Sequence, residues 1–220
     1  MRQLEHFPNL VTMFFTRAGE KGDSPFLWAK SGGEWRSISW REAAEQVAAL
    51  AAALKRLGLG RGDRVMLVSE NRPEWLISDL AVMAAGCTAV PTYTTNTERD
   101  HQHILDDSRA RAVIVSTQKL ARNLLPGAIR SNSCEHVIGI EPLPGGQTGT
   151  VQFHDWGALI AGERAHIAGC AATAAFARGD LACLIYTSGT GGAPRGVMLH
   201  HGALLHNVEG CTALISEDFG

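Results

Sequence analysis

Three short apolar runs constrain the fold more than any other feature of this sequence. Val65-Met66-Leu67-Val68, Thr88-Ala89-Val90 and Ala112-Val113-Ile114-Val115 are almost uniformly hydrophobic rather than alternating. Runs this short and this apolar read as strands buried on both faces. The segments between them have helical character. Pro73 suits the first position of a helix, and Trp75, Leu76, Leu80 and Met83 follow it up to Gly86; a second helical segment spans 97–107. Strand and helix alternating in this way predict βαβ units, hence an α/β domain with a largely parallel sheet flanked by helices.

The chain ahead of this unit is also legible. Residues 10–17 form an amphipathic helix candidate closing near Gly19. Two strand-like runs, 26–30 and 34–38, flank Gly32-Gly33 and read as a β-hairpin. Ser39-Trp40-Arg41-Glu42 has the form of a capping box. Behind it, Val47, Leu50, Leu54 and Leu57 recur on one helical face before Gly58 and Gly60 end the helix. Further on, 141–150 is a Pro/Gly-rich surface loop, 154–160 a short helix, 162–179 a weakly helical connector and 201–215 a final helix.

Composition excludes several classes of function. The formal net charge of -2 gives no electrostatic footprint for nucleic acid or an anionic membrane. Five cysteines are scattered without a C-x-x-C pair, which fits a reduced, cytoplasmic compartment. No apolar run reaches spanning length, because Asp79 interrupts the longest candidate; a peripheral membrane position stays open. His101 and His103 stand two apart, so on a helix they point to different sides, and no third ligand lies nearby; no metal site is read there. Asp106-Asp107 reads as a solvated helix end rather than a catalytic pair.

The chemistry concentrates near the C-terminal end. Leu181-Ala-Cys-Leu-Ile-Tyr186 reads as a buried strand, and 196–200 reads as a second one. Between them lie three hydroxyl side chains (Thr187, Ser188, Thr190), three glycines (Gly189, Gly191, Gly192) and one cation, Arg195. Glycines alone would make a turn. Combined with hydroxyls and a guanidinium they make an anion site, because bare N–H groups form a concave nest and Arg offers a forked, permanently charged donor. Two common phosphate loops are excluded by spacing. Gly192 is followed by Ala193, Pro194 and Arg195 rather than by Lys and Ser/Thr, and a G-x-G-x-x-G register from Gly189 meets Pro194 at its last glycine.

Tyr186-Thr-Ser-Gly-Thr-Gly-Gly-Ala-Pro-Arg-Gly-Val197 resembles the phosphate-binding signature of the adenylate-forming (AMP-binding) enzymes. Two positions depart from the usual family form: Gly191 stands where Thr is usual, and Arg195 where Lys is usual. The segment from Met198 to Gly202 is similar to the Met-Leu-Thr-His stretch that follows, with His201 on the family's His. Ser69-Glu-Asn-Arg-Pro-Glu-Trp75 and Ala84-Ala-Gly-Cys-Thr-Ala-Val-Pro91 resemble the long-chain acyl-CoA synthetase branch.

The resemblance implies the N-terminal portion of an AMP-binding domain over 1–220, with its phosphate loop at 186–196 and its downstream remainder and C-terminal domain absent. It implies ATP-dependent activation of a fatty acid, first as acyl adenylate and then as a thioester, with ATP, Mg²⁺ and coenzyme A as reactants. The implied phosphate contacts are Thr187, Ser188, Gly189, Thr190, Gly191, Gly192 and Arg195. No catalytic residue and no protein metal ligand is expected in this stretch. The 220 residues alone are expected to be inactive and prone to self-association. Two other readings stay open from sequence: a non-catalytic nucleotide- or acyl-binding module, and adenylation for a carrier-protein acceptor.

Overall fold

The computed structural model describes residues 6–143, 149–163, 166–187 and 194–218. The first helix, α1 (Leu10–Lys21), starts where the Asn9 side chain accepts from the Thr12 N–H at 2.7 Å. It runs past Gly19 and stops at Gly22, whose φ of 53° an L side chain would resist. Strands β1 (Pro25–Ser31) and β2 (Glu34–Ser39) form the predicted antiparallel hairpin. Its turn uses Gly32 and Gly33 at φ 61° and 90°, the left-handed geometry that matches strand twist.

Helix α2 (Trp40–Arg56) opens on the predicted capping box. The Glu42 N–H donates to Ser39 Oγ, and the Ser39 N–H donates to Glu42 Oε2 at 2.8 Å. Val47, Leu50 and Leu54 on its inner face are fully buried. Leu57 is the C-cap and only half-buried, so the helical stripe ends one residue short of it.

The remaining strands are β3 (Arg64–Val68), β4 (Thr88–Pro91), β5 (Ala112–Val115), β6 (His136–Gly139), β7 (Gln152–Asp155), β8 (Leu181–Thr187) and β9 (Arg195–His200). Among the described residues they form one seven-stranded sheet in the order β7-β6-β5-β3-β4-β8-β9. Every pairing is parallel except that of β9, which runs antiparallel to β8 at the sheet edge. The expected largely parallel α/β architecture is the observed one.

The strand side chains divide between two cores. Val65, Leu67 and Ile114 join α1, α2 and α3 (Pro73–Ala84) on one face. Met66, Val68, Val113 and Val115 join α4 (Glu98–Ser108) and α5 (Gln118–Arg130) on the other. Burial on both faces is why these runs are continuously apolar. Among the described residues no helix is long and apolar enough to cross a membrane. Asp79, which breaks the apolar run of α3, is pushed by burial up to about 7.

Two helix boundaries differ from the sequence reading, and the weakly helical 162–179 connector is helical in part. His154 and Asp155 belong to β7, not to a helix: Ile138 pairs with His154 and Gly139 with Asp155. Helix α6 (Trp156–Ala161) begins only afterwards, capped by Asp155 Oδ1, which accepts from the Ala158 N–H at 2.7 Å. The 162–179 connector contains α7 (Ile167–Thr173). Helix α8 (His201–Asp218) extends beyond the anticipated end. Of the Pro/Gly-rich segment, 144–148 lies outside the described residues.

Helix α5 and strand β6 carried no prediction. Pro126 and Gly127 sit inside α5 and look like helix breakers. Gly127 is there because α4 lies against it: a methyl group would come within 3.1 Å of the Gln102 backbone nitrogen and 3.2 Å of the Glu98 carbonyl. Gly127→Ala should therefore destabilise the chain by about 1–2 kcal/mol through overpacking. Urea unfolding checks this, and unchanged or increased stability would show that the two helices separate freely.

Candidate functional site

The candidate site lies at the carboxyl end of the parallel strands, where open α/β sheets present their ligand crevices. β8 delivers Thr187 to that end, and β9 leaves it from Arg195; the two residues are register partners and both are exposed. Ser188, Gly189, Thr190, Gly191 and Gly192 lie outside the described residues. The structure thus brings Thr187 and Arg195 together across the mouth of the hairpin.

The stem below them is anchored from α4. Tyr186 is buried, and its hydroxyl donates to Asp107 Oδ2 at 2.6 Å. Burial raises the Tyr186 pKa, and the hydrogen bond and charge of Asp107 raise it further, so the phenol stays protonated. On the other stem, His103 Nε2 lies 2.9 Å from the Pro194 carbonyl oxygen. A carbonyl only accepts, so Nε2 carries the proton. Gly196, the register partner of Tyr186, leaves room for its ring: a Cβ there would stand 3.1 Å from the ring carbon bearing the hydroxyl.

These contacts add to the reading of the acidic pair in α4 as a solvated helix end. Asp107 holds Tyr186, and Asp106 accepts from the Ser131 hydroxyl at 2.8 Å. Both residues are exposed at the helix end, and both also serve as structural anchors. Sequence reasoning had no signal for them, because their partners lie on other elements. One local clue went unused: Thr97 and Asp100 form a second capping box that fixes where α4 starts.

Neighbouring loops at the same end of the sheet are held by their own polar contacts. Ser116, after β5, donates to Glu70, after β3. Burial works to raise the Glu70 pKa, but hydrogen bonds from Ser116 and its own backbone, with Arg72 nearby, hold it below the usual carboxylate range. Arg72 in turn donates to Glu74 at 2.8 Å.

His201 is fully enclosed at the start of α8. It stacks on Phe176 at 5.9 Å between centroids, and its Nδ1 faces the Leu10 N–H at 3.4 Å. In this chain it ties β9 to α1. Burial lowers its pKa, which favours the neutral acceptor form.

Burial pushes the Cys87 and Cys134 thiols up to about 12 and Cys183 up to about 11, far from thiolate at neutral pH. Among the described residues no group of three or more His, Cys, Asp or Glu side chains is placed to hold a metal ion. The arrangement offers hydroxyl and cation donors on a rigid stem, which suits binding and orienting an anion.

Comparison with known proteins shows the family of the chain. The model of the family described as AMP-binding enzyme matches residues 14–219. The long-chain-fatty-acid–CoA ligase FadD15 of Mycobacterium tuberculosis is 32% identical over 206 residues, covering 93% of this chain and 33% of that protein. The 4-coumarate–CoA ligase 3 of rice (Oryza sativa subsp. japonica) is 31% identical over 209 residues, covering 94% of this chain and 34% of that protein. The chain therefore spans about a third of the length of these relatives. Among solved structures, a long-chain-fatty-acid–CoA ligase from Archaeoglobus fulgidus superposes with a TM-score of 0.68 at 22% identity, over 93% of this chain and 39% of that one. The family match extends over nearly all the described elements, from within α1 to the end of α8, and takes in the whole β8–β9 hairpin: the chain belongs to the AMP-binding enzyme family.

Proposed function

We propose that this chain carries the phosphate-binding part of an ATP-dependent ligase that activates a fatty acid and passes the acyl group to coenzyme A. The observation that carries the reading is the β8–β9 hairpin. It holds Thr187 and Arg195 opposite each other at the carboxyl end of a parallel sheet, on either side of a Gly/Ser/Thr segment. Relatives that are fatty acid–CoA ligases support the choice of acyl substrate.

The reaction joins a carboxylate oxygen to the α-phosphorus of ATP and expels pyrophosphate. The acyl carbon is then attacked by the thiol, and AMP leaves. Neither step needs a covalent bond to the protein. The contribution of this chain is to bind the β- and γ-phosphates and to stabilise the charge that builds on the departing pyrophosphate. Arg195 supplies a forked cation; Thr187, Ser188, Thr190 and the amides around Gly189, Gly191 and Gly192 supply neutral donors. Mg²⁺ would be carried by triphosphate oxygens and would neutralise phosphate charge, with Thr187 and Arg195 holding the phosphates. This donor set, hydroxyls without a carboxylate cluster among the described residues, fits such a role.

The test is fatty-acid-dependent exchange of labelled pyrophosphate into ATP by the whole ligase, followed by thioester formation on adding coenzyme A. Exchange that needs a long-chain acid, with thioester appearing on coenzyme A, is the expected result. Exchange without transfer to coenzyme A would point to another acceptor, and no exchange with any carboxylic acid would overturn the reading.

A further inference from the structure

We infer that one face of α4 sets the width and position of the phosphate-loop mouth through two positioning residues, His103 and Asp107. The inference rests on the phosphate-binding role proposed above for the β8–β9 hairpin. His103 and Asp107 are four residues apart, so they lie on the same side of the helix, one turn apart. Each takes a different stem of the hairpin. His103 Nε2–H donates to the carbonyl of Pro194, the residue directly before Arg195. Asp107 accepts from the hydroxyl of Tyr186, the residue directly before Thr187. His103 also touches the partner of Asp107: its ring meets the Tyr186 ring edge-on, at 6.4 Å between centroids and 89° between planes.

Two features make this a built arrangement. Gly196 lies opposite Tyr186, and the ring occupies the space a side chain would take, so the phenol reaches across to α4. Helix α4 is itself fixed, by the Thr97–Asp100 capping box at its start and by close packing on Gly127 of α5. β9, by contrast, is an edge strand paired only to β8 among the described residues. Without His103, the position of Arg195 depends on that one ladder. A cation must be placed to within a fraction of an ångström to favour a developing charge, so a residue that never touches phosphate can govern how ATP is used.

The test uses the whole ligase with His103→Leu, which removes the donor, and His103→Gln, which returns an N–H at similar reach. His103→Leu should raise KM for ATP about tenfold while KM for the fatty acid stays within about twofold, as expected for one lost positioning hydrogen bond. His103→Gln should recover most of the difference. Hydrogen exchange gives a readout independent of activity: backbone amides at 195–197 should exchange faster in His103→Leu, with those of β4 unchanged. If wild-type enzyme shows no ATP chemistry but exchange at 195–197 still responds, the functional reading falls and the anchoring stands. If the enzyme is active and neither KM for ATP nor this exchange responds, the anchoring is overturned. It is also overturned if both KM values rise together with a lowered Tm and His103→Gln rescues nothing, which marks a residue serving only the fold.

Discussion

For the activity proposed above, Arg195→Ala is expected to lower kcat/KM for ATP about a hundredfold, close to 2.7 kcal/mol, while Tm stays within about 2 °C. The size follows from what the side chain does in the proposed site. A guanidinium that meets phosphate oxygens makes charge-assisted hydrogen bonds, roughly twice as strong as neutral ones. The indifference of Tm follows from where the residue stands. Arg195 is exposed at the first position of an edge strand, and truncating such a side chain removes little packing. Arg195→Lys keeps the charge and loses the fork, so it should stay within about tenfold of wild type. Steady-state ATP kinetics and thermal melts on the three proteins decide the matter. A large fall in Tm with unchanged ATP kinetics would assign Arg195 to the fold instead.

The second large effect is on stability in acid. His101 faces the core from α4 at 1% exposure, and its Nδ1 is a buried nitrogen with no hydrogen-bond partner among the described residues. Burial pushes its pKa down to about 4. In the unfolded chain it returns to the ordinary value near 6.5. A lowered folded pKa means that the unfolded state takes up the extra proton. The stability associated with neutral His101 is therefore complete above about pH 6.5 and lost as pH falls to about 4, a total of about 3 kcal/mol. His101→Leu abolishes this loss and also removes an unsatisfied polar atom, so it should be about as stable as wild type or more so at pH 7. Urea titrations of both proteins from pH 7 to pH 4.5 measure the difference. Parallel pH profiles would show that His101 does not carry the acid sensitivity.

Local physics made much of this molecule readable in advance. The runs at Val65, Thr88 and Ala112 are apolar on both faces because helices cover both faces of β3, β4 and β5. The Ser39–Glu42 box and the Gly32-Gly33 turn each bond within a few residues, so spacing alone reveals them. β7 was missed because Gln152-Phe-His-Asp155 is polar and lies at the sheet edge, where only the pairing with β6 makes it a strand. α5 was missed because Pro126 and Gly127 disfavour a helix locally, and contact with α4 overrides them. In the candidate site, Arg195 and Thr187 declared themselves by residue type, whereas His103 and Asp107 did not. Their partners stand 91 and 79 positions away, and a contact across that distance leaves no periodicity to read.

The strand order has a further consequence, for how the chain is made. β4 ends at Pro91 and its outer neighbour β8 begins only at Leu181. On the other side of β3, β5, β6 and β7 are added in the order in which they are synthesised. A nascent chain can therefore assemble β4-β3-β5-β6-β7 from short-range connections while the free edge of β4 still waits for its partner. That edge carries fully buried Ala89 and Val90 in the finished protein, and an open apolar edge is a template for pairing with another chain. The hairpin that bears the candidate phosphate loop is thus also the element that covers the β4 edge. Once it docks, β4 is paired on both sides, and the new edge is β9, which presents Arg195 and His200 at its two ends.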